Sequence, residues 1–495
     1  MSDAFNPRGL KPYATKEESG AQKIYFPGAS KVFPGFEGFL SELFEENIHG
    51  VERLQRVVNY IRETAQEHGY ADPYAFCLDA KEPGLSEKYE ELVKARKEVI
   101  PKKPFPKKDE NSLDLSMPLK ENGVEKQRVL FCCILEAMGI QEIVPEKYFK
   151  EASLEGCQGI CLLWHPKESK ETDATRMKIF KARFSEGYYK ERYKGFEIDP
   201  KDEGAIYISS DPKNWLFRTI YGIHEMGHAI SNKKAAKAER KYDNCFSAVG
   251  EMSGYLWETI AKQRNYWTFL LGKEGDNQPK GKLREVIENY ELQDYFPELA
   301  RPNINGDAIY EHLIGKRYAE YSEDKADLYE FLVEEHPSEL KGKLLREGNV
   351  KEILEGYFSE RGMDKSKMDE FADDFSRGKL EFMAFGGFGG EEHLMGEAIA
   401  LHVLQNTPSL AEMLAKNNYL GVAKWHMSTM STRFANINYL NLVKEITKKP
   451  FSLDAYKSYY REQYLETQQK GFSAQKSVDT PNHSHDDSRR TGHSR

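Results

Sequence analysis

Residues 219–231, TIYGIHEMGHAIS, place two histidines four positions apart inside an apolar helical run that begins at NWLFRTIYGI. On a helix, positions i and i+4 share a face, so His224 and His228 can present two imidazoles to one cation. The alternative is two histidines sharing a helix face by coincidence. The apolar lead-in argues against it, because it puts both rings at a buried helix end. Gly227 adds to this. A glycine inside a helix costs about 1 kcal/mol against alanine, which makes sense where another segment must approach closely.

Glu225 sits one step round the helix, about 100° away. That sets its carboxylate beside a cation rather than on it, where it can take a proton from water. His-Glu-x-x-His on a helix is the spacing of a zinc peptidase. A catalytic zinc takes three protein ligands and leaves one position open. The next apolar helical run, NCFSAVGEMSGYLWETI, carries Glu251 and Glu258. Glu251 lies 27 positions after His224, room for one connection and a return helix, and completes the set His224, His228, Glu251. Glu258, two turns on, reads equally as support for an imidazole or as a solvated glutamate. Zn2+ is expected over Co2+ or Mn2+ from two imidazoles and one carboxylate. Such a site acidifies water and polarises a carbonyl, with Glu225 as general base.

The rest of the composition narrows the class. Of 495 residues, 39% are hydrophobic and 31% charged, and the net charge of −9 is spread along the chain. Nucleic acid is not expected as a partner, since phosphate binding needs a clustered basic surface. No apolar run approaches the ~20 residues of a membrane span. The N-terminal MSDAFNPRGLKPYATKEESG has no secretory pattern, so a cytoplasmic protein is expected, with non-classical export left open. Six cysteines are too few for a disulfide framework at this length. Cys157 and Cys161 in CQGIC stand at helical spacing with no second pair, and read as free thiols.

Helical periodicity covers 36–70, 126–139, 214–231, 247–264, 307–335, 367–376, 393–405 and 408–446, while GAIYISS at 204–210 alternates as a strand. The expected division is an N-terminal helical region (1–115) with a Lys/Pro-rich linker near 97–115, a helical domain at 116–471, and a polar tail at 472–495. That tail is too poor in apolar residues to offset chain ordering.

These residues resemble a known family. WLFRTIYGIHEMGHAI followed by GEMSGYLWET is similar to the zinc and Leu-Trp-Glu helices of the thermostable zinc carboxypeptidases, the carboxypeptidase Taq family. More loosely, GAIYISSDPKNWLF resembles its Gly-Asp-x-Arg-x-Thr strand. EYSEDKADLYEFLVE resembles its Ile-Arg-x-x-Ala-Asp helix, and RGKLEFMAFGGFGGEEHLMGEAIALHVLQ its Gly-x-x-Gln segment and glycine-rich turn. Together these span about 204–405. Several positions depart from the pattern: Gly250, Met252 and Ser253 replace the family's His, Ser and Gln around Glu251. Tyr207 stands for the strand arginine, Glu381 for the Gln, and Ala384–Phe385 for His-Trp. Arg317 is two residues out of register, and His165–Pro166 lies far upstream of the family's His-Pro-Phe.

The resemblance implies a mainly α, zincin-type fold with a deep groove and a small β element beside the zinc helix. It also implies metallopeptidase activity on peptide or protein substrates, and a homodimer. His393 falls where the family's glycine-rich turn ends in tyrosine, which makes it a candidate donor to an oxyanion, with Tyr207 as a second candidate. Because the carboxylate-reading positions are altered, three functions stay open: a carboxypeptidase, a narrow-specificity endopeptidase or oligopeptidase (such as an effector protease), and a scaffold that binds without cutting. An intact Glu225 counts against the last.

Overall fold

The computed structural model describes residues 13–16, 22–25, 33, 35–81, 84–99, 123–145, 148–152, 159–163, 204–209, 215–233, 248–272, 281–283, 285, 306–307, 309–310, 337–360, 362–381, 391–430 and 439–462. Strands β1 (Tyr13–Lys16) and β2 (Gln22–Tyr25) pair antiparallel, Tyr13 opposite Tyr25. Helices α1 (Phe36–Glu45), α2 (Gly50–Glu67), α3 (Pro73–Lys81), α4 (Leu85–Val99) and α5 (Gly123–Met138) follow. The periodic run at 36–70 is thus two helices. Asn47 and Gly50 adopt positive φ (55° and 63°) and turn the chain between them.

A small sheet comes next, from β3 (Phe149–Ala152), β4 (Gly159–Leu163) and β5 (Gly204–Ser209). Strand β5 is central, parallel to β3 and antiparallel to β4, with Ile206 opposite Phe149 and Cys161. Alternation reveals β5, but β3 and β4 show no such pattern in the sequence. Cys161 therefore sits on a strand, not at the helical spacing read for CQGIC; Cys157 lies outside the described residues. Of the other thiols, Cys77 and Cys133 are buried and free, and Cys132 is free and half-buried.

The helix that carries the histidines is α6 (Trp215–Lys233), and its partner is α7 (Ala248–Ala261), followed by α8 (Arg264–Leu271). Then come α9 (Pro337–Glu347), α10 (Val350–Glu360) and α11 (Met368–Phe375), which runs into a π-helical turn over Ser376–Glu381. The C-terminal set is α12 (Glu391–Asn406), α13 (Pro408–Ala415), α14 (Tyr419–Met430) and α15 (Tyr439–Thr447). The run at 408–446 is broken at Asn417, whose φ is 51°. Of the expected helix at 307–335, positions 307, 309 and 310 are described and helical and the rest lies outside the described residues, as do most of the 97–115 linker, where α4 continues to Val99, and the 472–495 tail.

One apolar core runs from Phe33 to Tyr456, with Trp257 and Trp267 fully buried within it. Helix α7 packs against α6 on one side and α12 on the other. The N-terminal helices share this core and lock onto the later chain through polar contacts. Gly50 N and Val51 N donate to Asp373 Oδ1 (2.8 Å) and Asp369 Oδ1 (3.0 Å) of α11. Acidic side chains from more than 300 residues away thus satisfy the orphan amides at the start of α2. Arg53, one turn on, grips Glu381 with Nε at 2.8 Å and Nη2 at 3.1 Å. No helix among the described residues is long and apolar enough to cross a membrane.

Candidate metal centre

Three glycines bring α6, α7 and α12 unusually close. A Cβ on Gly227 would overlap the carbonyl oxygen of Ser253 and sit 3.0 Å from the Gly254 Cα. One on Gly254 would lie 2.5 Å from Cδ2 and Cε1 of His224, and one on Gly396 would lie 2.5 Å from the Glu251 Cβ. Ordinary carbon contacts are about 3.5–4.0 Å, so each glycine stands where no larger residue fits. The close approach that Gly227 implied in the sequence is thus the crossing of α6 and α7.

At that crossing His224, His228 and Glu251 bring one ligand atom each to within 4.8 Å of one another. The two Nε2 atoms are 3.1 Å apart. Glu251 Oε2 lies 3.5 Å from His224 Nε2, and Oε1 lies 3.9 Å from His228 Nε2. His224 Nδ1 donates to Glu258 Oε2 at 2.8 Å, and Lys262 grips the other oxygen of Glu258. His228 is hydrogen-bonded to the Gly250 backbone.

This donor set fits a cation. With its Nδ1 proton committed to Glu258, a neutral His224 turns a lone pair toward His228 Nε2. Glu251 Oε2 is buried with no hydrogen-bond partner among the described residues. Lone pairs and a carboxylate facing one another without a donor are costly to bury, and one positive charge at their centre relieves them all. A proton can answer the same crowding of acceptors, and it settles on His224. Burial works against a charged His224, yet the Glu251 carboxylate 3.5 Å away, the hydrogen bond to Glu258 and the Glu258 and Glu225 charges carry it up to about 10. Burial, with His224 and His393 beside it, pushes His228 down to about 4 against the pull of Glu251. Burial alone would raise Glu251, but His393, His224 and His228 outweigh it and hold it at about 2. Glu258 is likewise held far below the carboxylate range against burial, by Lys262 and His224.

The surrounding residues are now placed. Glu225 is half-buried on the same turn as His224 and acts on it electrostatically. His393, at the start of α12, puts Nε2 3.3 Å from Glu251 Oε2. Tyr207 is on central strand β5, its backbone opposite Lys150 and Ile160; its side chain lies outside the described residues. Glu381 is buried and held by Arg53 and by Ser376 Oγ at 2.9 Å. Ala384, Phe385, Arg317, His165 and Pro166 are outside the described residues.

Three neighbours did not emerge from the sequence. Tyr255, one turn after Glu251, sets its ring edge-on to His224 (centroids 4.8 Å, 89°) and to His393 (6.2 Å, 89°). Burial, then Glu258, Glu397 and Glu251, raise its hydroxyl well above its usual pKa. Its i+4 spacing from Glu251 was the available signal. Lys262 stood at i+4 from Glu258. His426 of α14, fully buried, accepts from Trp257 Nε1 at 3.0 Å, and nothing local in the sequence announces it.

No protein-family model and no curated protein matches the chain. Solved structures do. A protein designated BsuCP matches at a TM-score of 0.53 and 14% identity, over 89% of this chain and 78% of that one. The M32 carboxypeptidase from Deinococcus radiodurans matches at 0.52 and 14%, over 89% and 78%. A Pyrococcus furiosus carboxypeptidase matches at 0.50 and 14%, over 88% and 78%. At such identity the likeness speaks for architecture: the chain has the mainly helical fold of the M32, Taq-type carboxypeptidases.

Proposed function

We propose that the chain is a divergent zinc metallopeptidase of this type. The observation that carries the reading is the buried convergence of His224 Nε2, His228 Nε2 and the donor-less Glu251 oxygen, with Glu225 beside them. The neighbours' carboxypeptidase names support it. His224, His228 and Glu251 would hold the ion, which when bound supplies an acidified water and a polarised carbonyl. The chain's own residues do the rest. Glu225 takes a proton from the attacking water and passes it to the leaving amine. Glu258, clamped by Lys262, fixes the tautomer and plane of His224. His393 stands against the third ligand, its Nε2 3.3 Å from Glu251 Oε2; to donate to a substrate oxygen, it would turn its Nε2 away from that carboxylate.

A second reading, internal cleavage by an endopeptidase or oligopeptidase, has an observation in its favour. Glu381 keeps its carboxylate where the family's motif has a neutral glutamine, and Arg53 is spent on binding it. That pair offers no cation to a substrate's terminal carboxylate. A peptide library incubated with the zinc-loaded protein and with Glu225→Gln separates the readings by mass spectrometry. Stepwise C-terminal trimming, absent in the variant, is the expected pattern, and internal cuts would favour the second reading. Equal cleavage by the variant, or none by either protein, would overturn the mechanism.

A further inference from the structure

The site needs a hydrogen-bond donor for the substrate oxygen that gains charge, and its positions are mostly taken. His224 and His228 face the ion position. His393 Nε2 is 3.3 Å from Glu251 Oε2. Glu258 and Lys262 are engaged with each other. Tyr255 differs. It projects from the α7 face that carries Glu251, and its ring stands edge-on to both His224 and His393. It is only partly buried, and no described residue hydrogen-bonds its hydroxyl. A phenol is an O–H donor at neutral pH. The ring is wedged between a ligand and the start of α12, so its direction is fixed before substrate arrives, which is what makes such a donor effective.

We infer that Tyr255 touches the substrate, its hydroxyl donating to the scissile carbonyl oxygen as that oxygen becomes tetrahedral and negative. The proton stays on the phenol throughout. This rests on the peptidase reading. The competing role, in which the ring merely buttresses His224, needs no hydroxyl.

Tyr255→Phe keeps the ring and removes the donor. The full-length, zinc-loaded protein and this variant are compared in three measurements: zinc affinity by competition with a chelator, binding of a phosphinic peptide by calorimetry, and kcat and KM on a peptide that the unmodified protein cuts. Loss of one such donor costs about 100-fold or more in kcat. The expected result is that loss with KM and zinc affinity nearly unchanged, and phosphinic peptide binding weakened by a similar factor. Unchanged kcat and phosphinic binding would overturn the assignment while leaving the peptidase reading intact. A drop in zinc affinity alone would overturn it in favour of the buttress. If the unmodified protein takes up zinc but neither cuts peptides nor binds the phosphinic peptide, the peptidase reading fails first and Tyr255 falls with it.

Discussion

Gly254→Ala isolates what close helix packing contributes to the candidate metal centre. The new methyl would lie 2.5 Å from two ring carbons of His224, against about 3.5 Å for an ordinary contact, so the imidazole must retreat by about 1 Å. That retreat lengthens its 2.8 Å bond to Glu258 beyond the range of a hydrogen bond, and losing such support costs about 10–100-fold in metal affinity. The ligand atom also moves several times the ~0.2 Å that metal sites tolerate. Together these give an expected loss of at least about 100-fold in zinc affinity, or ~2.7 kcal/mol. Fold stability should change far less. Overpacking costs about 1–3 kcal/mol, and replacing glycine inside a helix returns about 1 kcal/mol. Chelator-competition titration and thermal melts with and without zinc would read both quantities. Zinc affinity within about threefold of the unmodified protein would refute the packing argument.

Two further outcomes follow from buried polar groups. Lys341 and Glu391 are both fully buried, their charged atoms 2.7 Å apart, and Tyr74 donates to the same carboxylate at 2.7 Å. Lys341→Met strands that charge and should cost about 3–5 kcal/mol in urea unfolding; Lys341→Met with Glu391→Gln should recover much of it, and equal losses would disprove the account. Burial, with a smaller effect from His228, lowers the fully buried His426 from its ordinary 6.5 to about 3. The unfolded chain therefore takes up a proton below pH 6.5 that the native one refuses until about pH 3, so stability falls as pH drops through that window, by about 2 kcal/mol between pH 7 and 5. His426→Gln, measured in metal-free protein, should remove about that much of the decline; an unaltered decline would refute it.

The convergence of His224, His228 and Glu251 was readable because its parts are local. His224 and His228 are one helical turn apart, Glu251 sits on the next helix, and Gly227 announced the crossing through its unfavourable place in a helix. The likeness of the two motif helices carried the fold class as well. Other features had no local trace. Strands β3 and β4 pair with β5 across long intervals and do not alternate. The turn between α1 and α2 depends on a positive φ at Asn47 that the helical spacing of 36–70 conceals. The Trp257–His426 and Arg53–Glu381 contacts join residues 169 and 328 positions apart, and each partner alone reads as an ordinary helical residue.

The acidic cap on α2 bears on how the chain is made. The first amides of that helix find their acceptors only at Asp369 and Asp373, the farther 323 positions downstream of Gly50. At about 5–20 residues per second, synthesis takes some 15–65 s to deliver them. During that interval the apolar side of α2, with Leu54, Val57, Val58 and Ile61 all destined for the core, waits without its final cover. Closing so long a loop late is slow, and the early helices depend meanwhile on one another, or on a chaperone, to stay out of aggregates.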